Sequence, residues 1–191
     1  MGEIINLFTG ANQNWNWTVQ EGILPASYNG TTTQLLSGTV LTTLDGTKLT
    51  KATNLAVART IIHELVHAYL TTYFRYDQVN ASKDYPQILR AWQTQKNPDY
   101  NQIQHDEIEK SFVEYIAIAL KEYSESIGLS YIDDTVYADL AWGGLDFNNN
   151  SRLSDEDKER IQLRLSAEQI NMKFSEEAPV GIIAARDTII I

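Results

Sequence analysis

Cysteine is absent from the 191-residue sequence, which excludes disulfides and thiolate metal ligands. Any metal ion must therefore be bound by His, Asp or Glu. The sequence also has no run of basic residues. Its 15 Lys and Arg are outnumbered by 25 Asp and Glu, which gives a net charge of -10 and a pI near 4.7. This balance argues against a nucleic-acid partner, since binding to a phosphate backbone depends on clustered positive charge.

Long apolar segments are missing as well. No stretch approaches the roughly 18 apolar residues of a membrane span, and residues 1–10 lack the charged and apolar regions of a signal peptide. We therefore expect a soluble protein with no membrane span. A signal peptide or a larger parent protein could precede Met1, so localisation and secretion stay open, and the sequence does not fix the oligomeric state.

The length and a hydrophobic content of 43% predict a single domain over residues 1–191. Residues 3–44 are rich in Thr, Asn, Gly and Trp, which favours strands and turns, and residues 35–44 form the best strand candidate. The rest predicts helices. They are expected from Thr53 or Asn54 to beyond Leu70, at 84–95, at about 101–125 and at 154–172. A short amphipathic segment lies around 137–142, and 179–191 is expected to be a docked tail or a final strand. The predicted fold class is α+β, mostly helical, with a small N-terminal β-sheet.

The segment His63-Glu64-Leu65-Val66-His67 lies within the first long predicted helix. Residues four apart share one face of a helix, so His63 and His67 can direct two imidazoles at one ion. Zinc held by three protein ligands keeps a position open for water and lowers the pKa of that water to about 7. Glu64 is then placed to accept the proton as a general base. The motif predicts a zinc site with Glu64 as its catalytic residue.

A third ligand is needed, and His105 is the one histidine left in the chain. It lies in the first turn of the predicted helix at 101–125. The carboxylates of Asp106 and Glu107 compete with it, Glu107 more strongly, because a carboxylate serves zinc equally well. We predict His63, His67 and His105 as the metal ligands, with Glu107 as the alternative to His105.

Two further roles are suggested by side-chain type. Glu109 falls on an otherwise apolar helix face, so it either orients a metal-bound imidazole or is a partly exposed carboxylate near a helix N-terminus. A tyrosine or arginine often helps to polarise the substrate carbonyl in such sites. The sequence does not choose among the tyrosines close to the motifs, which are Tyr69, Tyr73, Tyr76, Tyr115 and Tyr123.

A second possible metal site lies at residues 146–157, where oxygen-bearing side chains occupy most of the calcium-binding positions of an EF-hand loop. Ser151 stands where that loop needs Gly, and Asp157 stands where a bidentate Glu is usual. The same residues fit a polar turn in which Ser154 caps the following helix. Calcium binding and a simple helix cap are both compatible with this segment.

The segment Thr60 to Leu70, centred on the HExxH motif, resembles the active-site helix of the zincin metallopeptidases. The closer similarity is to SprT-like or minimal gluzincin-like peptidases of Bacteroidetes-type bacteria. Residues 105–108 with 112–116 are similar to the segment that supplies later ligands there, and residues 140–145 are also similar. The third histidine that follows the motif in metzincins and the Glu-x-x-x-Asp of gluzincins are both absent. The resemblance implies a zincin-like domain with an edge strand beside its cleft, for which residues 35–44 are the candidate.

The resemblance implies a zinc-dependent metallopeptidase that acts on a peptide or protein substrate by zinc-activated water. One alternative is a toxin or effector metallopeptidase module of a larger secreted protein. Another is a non-catalytic zinc-binding interaction domain on a zincin scaffold, which the intact Glu64 disfavours, because structural zinc needs no general base.

Overall fold

The computed structural model describes residues 2–9, 14–84, 100–129, 132–173 and 178–181. These residues contain eight α-helices, one short 3-10 helix and a three-stranded sheet, so the fold is α+β and mostly helical, as predicted. The strands are β1 (Trp17–Gly22), β2 (Gly30–Gln34) and β3 (Val40–Asp45). The helices are α1 (Gly2–Thr9), α2 (Gly46–Leu49), α3 (Asn54–Tyr76), α4 (Gln78–Asp84), α5 (Tyr100–Ser111), α6 (Val113–Ser126), α7 (Asp134–Ala141) and α8 (Asp155–Ile170), with the 3-10 helix at Phe147–Asn149.

The sheet has the strand order β1-β3-β2. β3 pairs in parallel with β1 and antiparallel with β2, so it is the central strand. The expectation that residues 35–44 form the edge strand beside the cleft is therefore wrong. Val40, Thr42 and Leu44 alternate along β3 and are buried on one face of the sheet, and β2 is the edge strand that reaches the cleft described below.

Helix α3 organises the core because it packs against the sheet and against other helices. Its N-terminus is capped by the side chain of Thr53, which accepts a hydrogen bond from the backbone N–H of Ala56. Of the two predicted caps, Thr53 and Asn54, the structure therefore selects Thr53. Near this end, Ala56 and Val57 pack with apolar side chains of β3 and α2. Farther along, its apolar side chains join the main core with those of α5, α6 and α7. The helix is thus buried around most of its circumference, which fixes its rotation and the directions of its polar side chains.

Other predicted elements differ from the structure in their details. Residues 2–9 form helix α1 rather than a strand, because Ile4 and Phe8 fall on one helical face, where Ile4 packs against the main core and Phe8 against Trp15. The predicted helix at 101–125 is divided at Phe112 into α5 and α6. The backbone bonds from Phe112 N–H to Ile108 and from Ile116 N–H to Phe112 continue across this break, so the apolar stripe stays on one face.

The predicted helix at 154–172 is present as α8, and the amphipathic segment around 137–142 lies largely in helix α7. The predicted helix at 84–95 lies outside the described residues except for Asp84, and so do residues 182–191 of the expected tail. The part of the tail that is described docks on α8, since the backbone N–H groups of Val180 and Gly181 donate to the buried carboxylate of Glu168. Among the helices formed by the described residues, none combines the length and the apolar character required to cross a membrane.

Candidate metal centre

His63 and His67 project from the same face of α3, and each side chain is only 6% exposed. Their Nε2 atoms lie 3.1 Å apart. Four ligands around zinc at about 2.05 Å would be separated by roughly 3.3 Å, so this spacing is close to one edge of a tetrahedral zinc site. The helical spacing predicted from the sequence therefore brings the two imidazoles into a geometry that a single metal ion can use.

The third imidazole is that of His105, which α5 presents to the same point. One ring nitrogen from each of the three histidines can be chosen so that all three lie within 4.8 Å of one another. The alternative ligand, Glu107, instead accepts a hydrogen bond from Ser111 on its own helix, and Asp106 is exposed and accepts one from Gln102. Within the described part of the chain, this histidine triplet is the one cluster of three or more His, Asp or Glu side chains close enough to share an ion.

Burial keeps the histidines neutral, with lone pairs available for a metal. It lowers the pKa of His67 to about 4, with nearby His105 acting in the same direction. Burial also holds the pKa of His63 well below its ordinary value and lowers that of His105. Neutral imidazole is the form that binds zinc. The donor set therefore fits zinc in both its chemistry and its protonation state.

The hydrogen bonds around the histidines also fit a bound metal. Nδ1 of His67 lies 3.0 Å from Oε1 of Gln104, a pairing that places the proton on Nδ1 and leaves the Nε2 lone pair facing His63. Nδ1 of His63 is buried without a hydrogen-bond partner among the described residues. The residue that orients an imidazole is thus Gln104, which the sequence analysis missed, although a polar side chain beside a candidate ligand was the available signal.

Glu109, predicted as one option to orient an imidazole, has other partners. Its Oε1 accepts hydrogen bonds from the side chains of Asn150 and Arg152. Position 109 is one turn beyond His105, but the carboxylate contacts the loop before α8 rather than the histidine cluster. The orienting role proposed for Glu109 is therefore replaced by a contact between α5 and this loop.

The carboxylate of Glu64 lines the same cleft as the histidines. Its Oε2 accepts a 2.7 Å hydrogen bond from the hydroxyl of Thr32 on β2. Gly30 allows this approach, because a Cβ at that position would lie 2.9 Å from Glu64 Cγ. Burial raises the pKa of Glu64 to about 7, against the lowering effects of the Thr32 bond and of the Arg59 charge. A carboxyl group with this pKa can both accept and return a proton near neutral pH.

A chain of hydrogen bonds across the sheet holds Thr32 in place. The indole N–H of Trp17 on β1 donates to the hydroxyl of Thr42 on β3 over 2.8 Å. The hydroxyls of Thr42 and Thr32 lie 2.7 Å apart, and because Thr32 donates to Glu64, Thr42 must donate to Thr32. Every strand of the sheet therefore contributes one side chain to the orientation of Glu64.

The cleft has a volume of about 470 Å³. Residues 27–32 of the chain entering β2 line one side, and Arg59 and Gly144 line it near His63. The tyrosines proposed from the sequence are not among its described lining residues, whereas Tyr28, which was not considered, is. Tyr69 and Tyr73 stack on each other, and Tyr115 is exposed.

The loop at 146–157 contains a helix cap. Ser154 and Asp157 form a capping box at the start of α8, and Asp157 also pairs with Arg160. The side-chain amide of Asn149 donates to Asp146 at the other end of the loop. These contacts account for Ser154 and Asp157 as the cap that the sequence analysis considered, and calcium binding here stays an untested prediction.

Comparison of the chain with protein-family models, with curated proteins and with solved structures finds no match.

Proposed function

We propose that this protein is a zinc-dependent metallopeptidase with His63, His67 and His105 as its metal ligands and Glu64 as its general base. The observation that carries the proposal is the convergence of three imidazoles from α3 and α5 beside a buried carboxylate in one cleft. Three neutral histidine ligands and an open fourth position are typical of catalytic rather than structural zinc. A purely structural site would have no use for a carboxyl group of raised pKa at its edge.

The residues in and around the cleft have different roles in peptide hydrolysis. Zinc in such a site supplies a Lewis acid that polarises a carbonyl oxygen and makes water acidic near neutral pH. Glu64 accepts the proton of the attacking water and passes it to the departing amine. Thr32 keeps the Glu64 carboxylate pointed into the cleft, and Gln104 keeps the ring of His67 in the orientation that ligation needs.

A peptide can lie along β2, which has one sheet neighbour, β3, within the described part of the chain. The free backbone groups of an edge strand can pair with an extended substrate, while side chains fix its register. Gly30 and Thr32 on this strand contact or approach Glu64, so a peptide paired with β2 would pass close to the metal centre.

Metal analysis followed by peptide cleavage tests the proposal. We expect about one zinc ion per chain by elemental analysis, and cleavage of a peptide library that falls by at least a hundredfold in Glu64→Gln while zinc is retained. Glu114→Gln, an exposed change on α6, is the matched control and should cleave like the wild type. Protein that takes up no zinc would refute the metal centre. Zinc-loaded protein with no cleavage would refute the peptidase and favour a non-catalytic binding domain.

A further inference from the structure

Arg59 is a buried cation that the zinc chemistry does not use. It lies on α3 one turn before His63 and is 8% exposed. It lines the metal cleft and also a neighbouring cavity of about 380 Å³, which is bounded on its other side by α8. The two cavities share Arg59 and Gly144. The guanidinium therefore stands at the junction between the metal centre and an adjoining space.

The guanidinium has few partners for a buried charge. Its Nη2 donates a long 3.4 Å hydrogen bond to Gln169, and its buried Nε has no partner among the described residues. None of the ion pairs found among the described residues includes Arg59, and Glu64 is the charged group that affects its pKa. Burial of a charge without an opposite charge is costly, so the fold tolerates here a group that an anionic ligand would satisfy.

The space around the guanidinium is closely limited. A Cβ at Gly143 would lie 2.7 Å from Cζ of Arg59, so the absence of a side chain at position 143 makes room for the group. Burial lowers the pKa of Arg59 only to about 10, which leaves it charged at neutral pH. A fixed, charged and planar fork of donors matches a carboxylate in shape as well as in sign.

The lining of the cleft does not share the negative net charge of the whole chain. The net charge of the protein is -10. Among the described residues that line the cleft, however, Glu64 is the one carboxylate and Arg59 the one guanidinium or ammonium group, and a divalent metal would make the sum positive. An anionic group is therefore repelled less inside this cleft than at the acidic surface of the protein, and the guanidinium of Arg59 is there to attract it.

We propose that Arg59 binds a carboxylate of the substrate, so that the enzyme prefers peptides with a free carboxylate close to the scissile bond. The carboxylate can be the C-terminus of a short peptide or the side chain of Asp or Glu. The class of substrate depends on the proposed peptidase function, whereas carboxylate binding by Arg59 does not.

Arg59 could instead serve only to keep Glu64 ionised, because its charge lowers the pKa of that carboxyl group. That role predicts a shifted pH profile in Arg59 variants that is the same for every substrate. A carboxylate-binding role predicts a change in the ratio between acidic and neutral ligands at a fixed pH. The comparison of matched ligands therefore distinguishes the two roles.

The test uses pairs of peptides that differ in one carboxylate. N-acetyl-trialanine as the free acid is compared with its C-terminal amide, and N-acetyl-Ala-Glu-Ala-amide is compared with the Gln peptide. Dissociation constants are measured by calorimetry on the zinc-free full chain, where no metal can bind the carboxylate, and kcat/KM on the zinc-loaded chain. We expect at least one acidic peptide to bind about tenfold or more tightly than its neutral partner, as a charge-assisted bidentate contact gives.

The variants assign this preference to Arg59. Arg59→Gln should remove it, and Arg59→Lys should retain a part, because Lys keeps the charge but loses the fork of donors. Arg75→Gln, near the other end of α3, is the matched control and should keep the preference. A preference for the free acid alone identifies a C-terminal carboxylate as the ligand, and a preference for the Glu peptide alone identifies an acidic side chain.

Equal dissociation constants for acid and amide and for Glu and Gln peptides in the wild type would overturn the inference, and this result does not depend on whether any variant folds. A preference that survives in a folded Arg59→Gln chain would also overturn it. If zinc or cleavage is absent while the binding preference is present and depends on Arg59, the peptidase proposal fails and the carboxylate site stands.

Discussion

The hydroxyl of Thr32 on the edge strand β2 donates a 2.7 Å hydrogen bond to Oε2 of Glu64 on helix α3. This bond joins the sheet to the proposed general base, and it opposes the rise in pKa that burial causes at Glu64. Thr32→Val removes the hydroxyl with little change in volume. We expect the pKa of Glu64 to rise, and activity at pH 7 to fall about tenfold, because a hydrogen bond to a charged group is lost.

The pH dependence of kcat/KM for a peptide substrate checks this effect. The acidic limb of the profile should move to higher pH in Thr32→Val. Thr33→Val is the control, since Thr33 is the next residue of β2 and is exposed. A profile that falls uniformly, with its acidic limb in place, would show that Thr32 does not act through the ionisation of Glu64.

Gly144 is packed against the ring of His63, and a Cβ there would lie 3.0 Å from Cε1 of that ring. Its φ of +91° is also in the region that favours glycine. Gly144→Ala should therefore lose about 1–2 kcal/mol of stability through backbone strain. In addition, it should weaken zinc binding about tenfold or more because the imidazole must move.

Gly128→Ala provides a matched control for strain. Gly128 has a similar φ of +81°, but a Cβ there would meet no atom within 4 Å. Both variants should lower the urea midpoint, and only Gly144→Ala should lower zinc affinity in a competition titration with a chelator. Equal zinc affinities in the two variants would mean that the ring of His63 is not confined by Gly144.

The sequence predicted the parts of the site that depend on local spacing. His63, Glu64 and His67 come from one helix, and the period of that helix alone brings the two histidines to one face. The sequence also limited the N-cap of this helix to Thr53 or Asn54, because the side chains of both residue types accept hydrogen bonds from the first helical turn. His105 was proposed only because no other histidine exists, and its approach to the others depends on how α5 packs on α3.

The parts that the sequence left out depend on contacts between distant segments. Thr32 reaches Glu64 because β2 is the edge strand, and this follows from a strand order in which β3 takes the central place. No periodicity in residues 17–45 fixes that order, since each strand is short. Arg59 resembles any other polar residue of a long helix until the burial of its guanidinium between two cavities is known.

Gln104 and Glu109 offer a direct comparison between two candidate orienting residues on α5. Gln104 contacts Nδ1 of His67, whereas Glu109 contacts Asn150 and Arg152. We expect Gln104→Leu to weaken zinc binding by about 10- to 100-fold, as is usual when the partner of a metal-bound histidine is removed. Glu109→Gln should leave zinc affinity unchanged. Chelator competition measures the zinc affinity of both variants. Weaker zinc binding in Glu109→Gln than in Gln104→Leu would instead identify Glu109 as the orienting residue.

The third ligand can be assigned by metal content. His105 shares the cluster with His63 and His67, and Glu107 is engaged with Ser111. We therefore expect His105→Ala to retain little zinc after dialysis and Glu107→Ala to retain the wild-type amount, because a site with two ligands binds far more weakly than one with three. Circular dichroism confirms that both variants are folded. Loss of zinc in Glu107→Ala with retention in His105→Ala would assign the third ligand to the carboxylate.

The metal-free protein should lose stability on mild acidification, because its histidines are buried in the neutral form. The pKa of His67 is about 4 in the folded chain, against about 6.5 when unfolded. Between these values the unfolded chain binds more protons, so this contribution is fully present above pH 6.5 and is lost as the pH falls toward 4. For His67 alone the loss is on the order of 3 kcal/mol.

The titration of Glu64 changes the stability of the fold in the opposite direction to that of the histidines, so the two contributions can be measured separately. Its pKa is raised to about 7, so the folded chain holds a proton that the unfolded chain releases, and acidification from pH 7 toward 4.5 stabilises the fold. Urea unfolding of zinc-free protein at pH 7.5, 6 and 5 should therefore give a flatter dependence in His67→Gln than in the wild type and a steeper one in Glu64→Gln. Parallel curves for the three proteins would contradict the buried, neutral state of His67 and the raised pKa of Glu64 together, because each variant removes one titrating group and leaves the other in place.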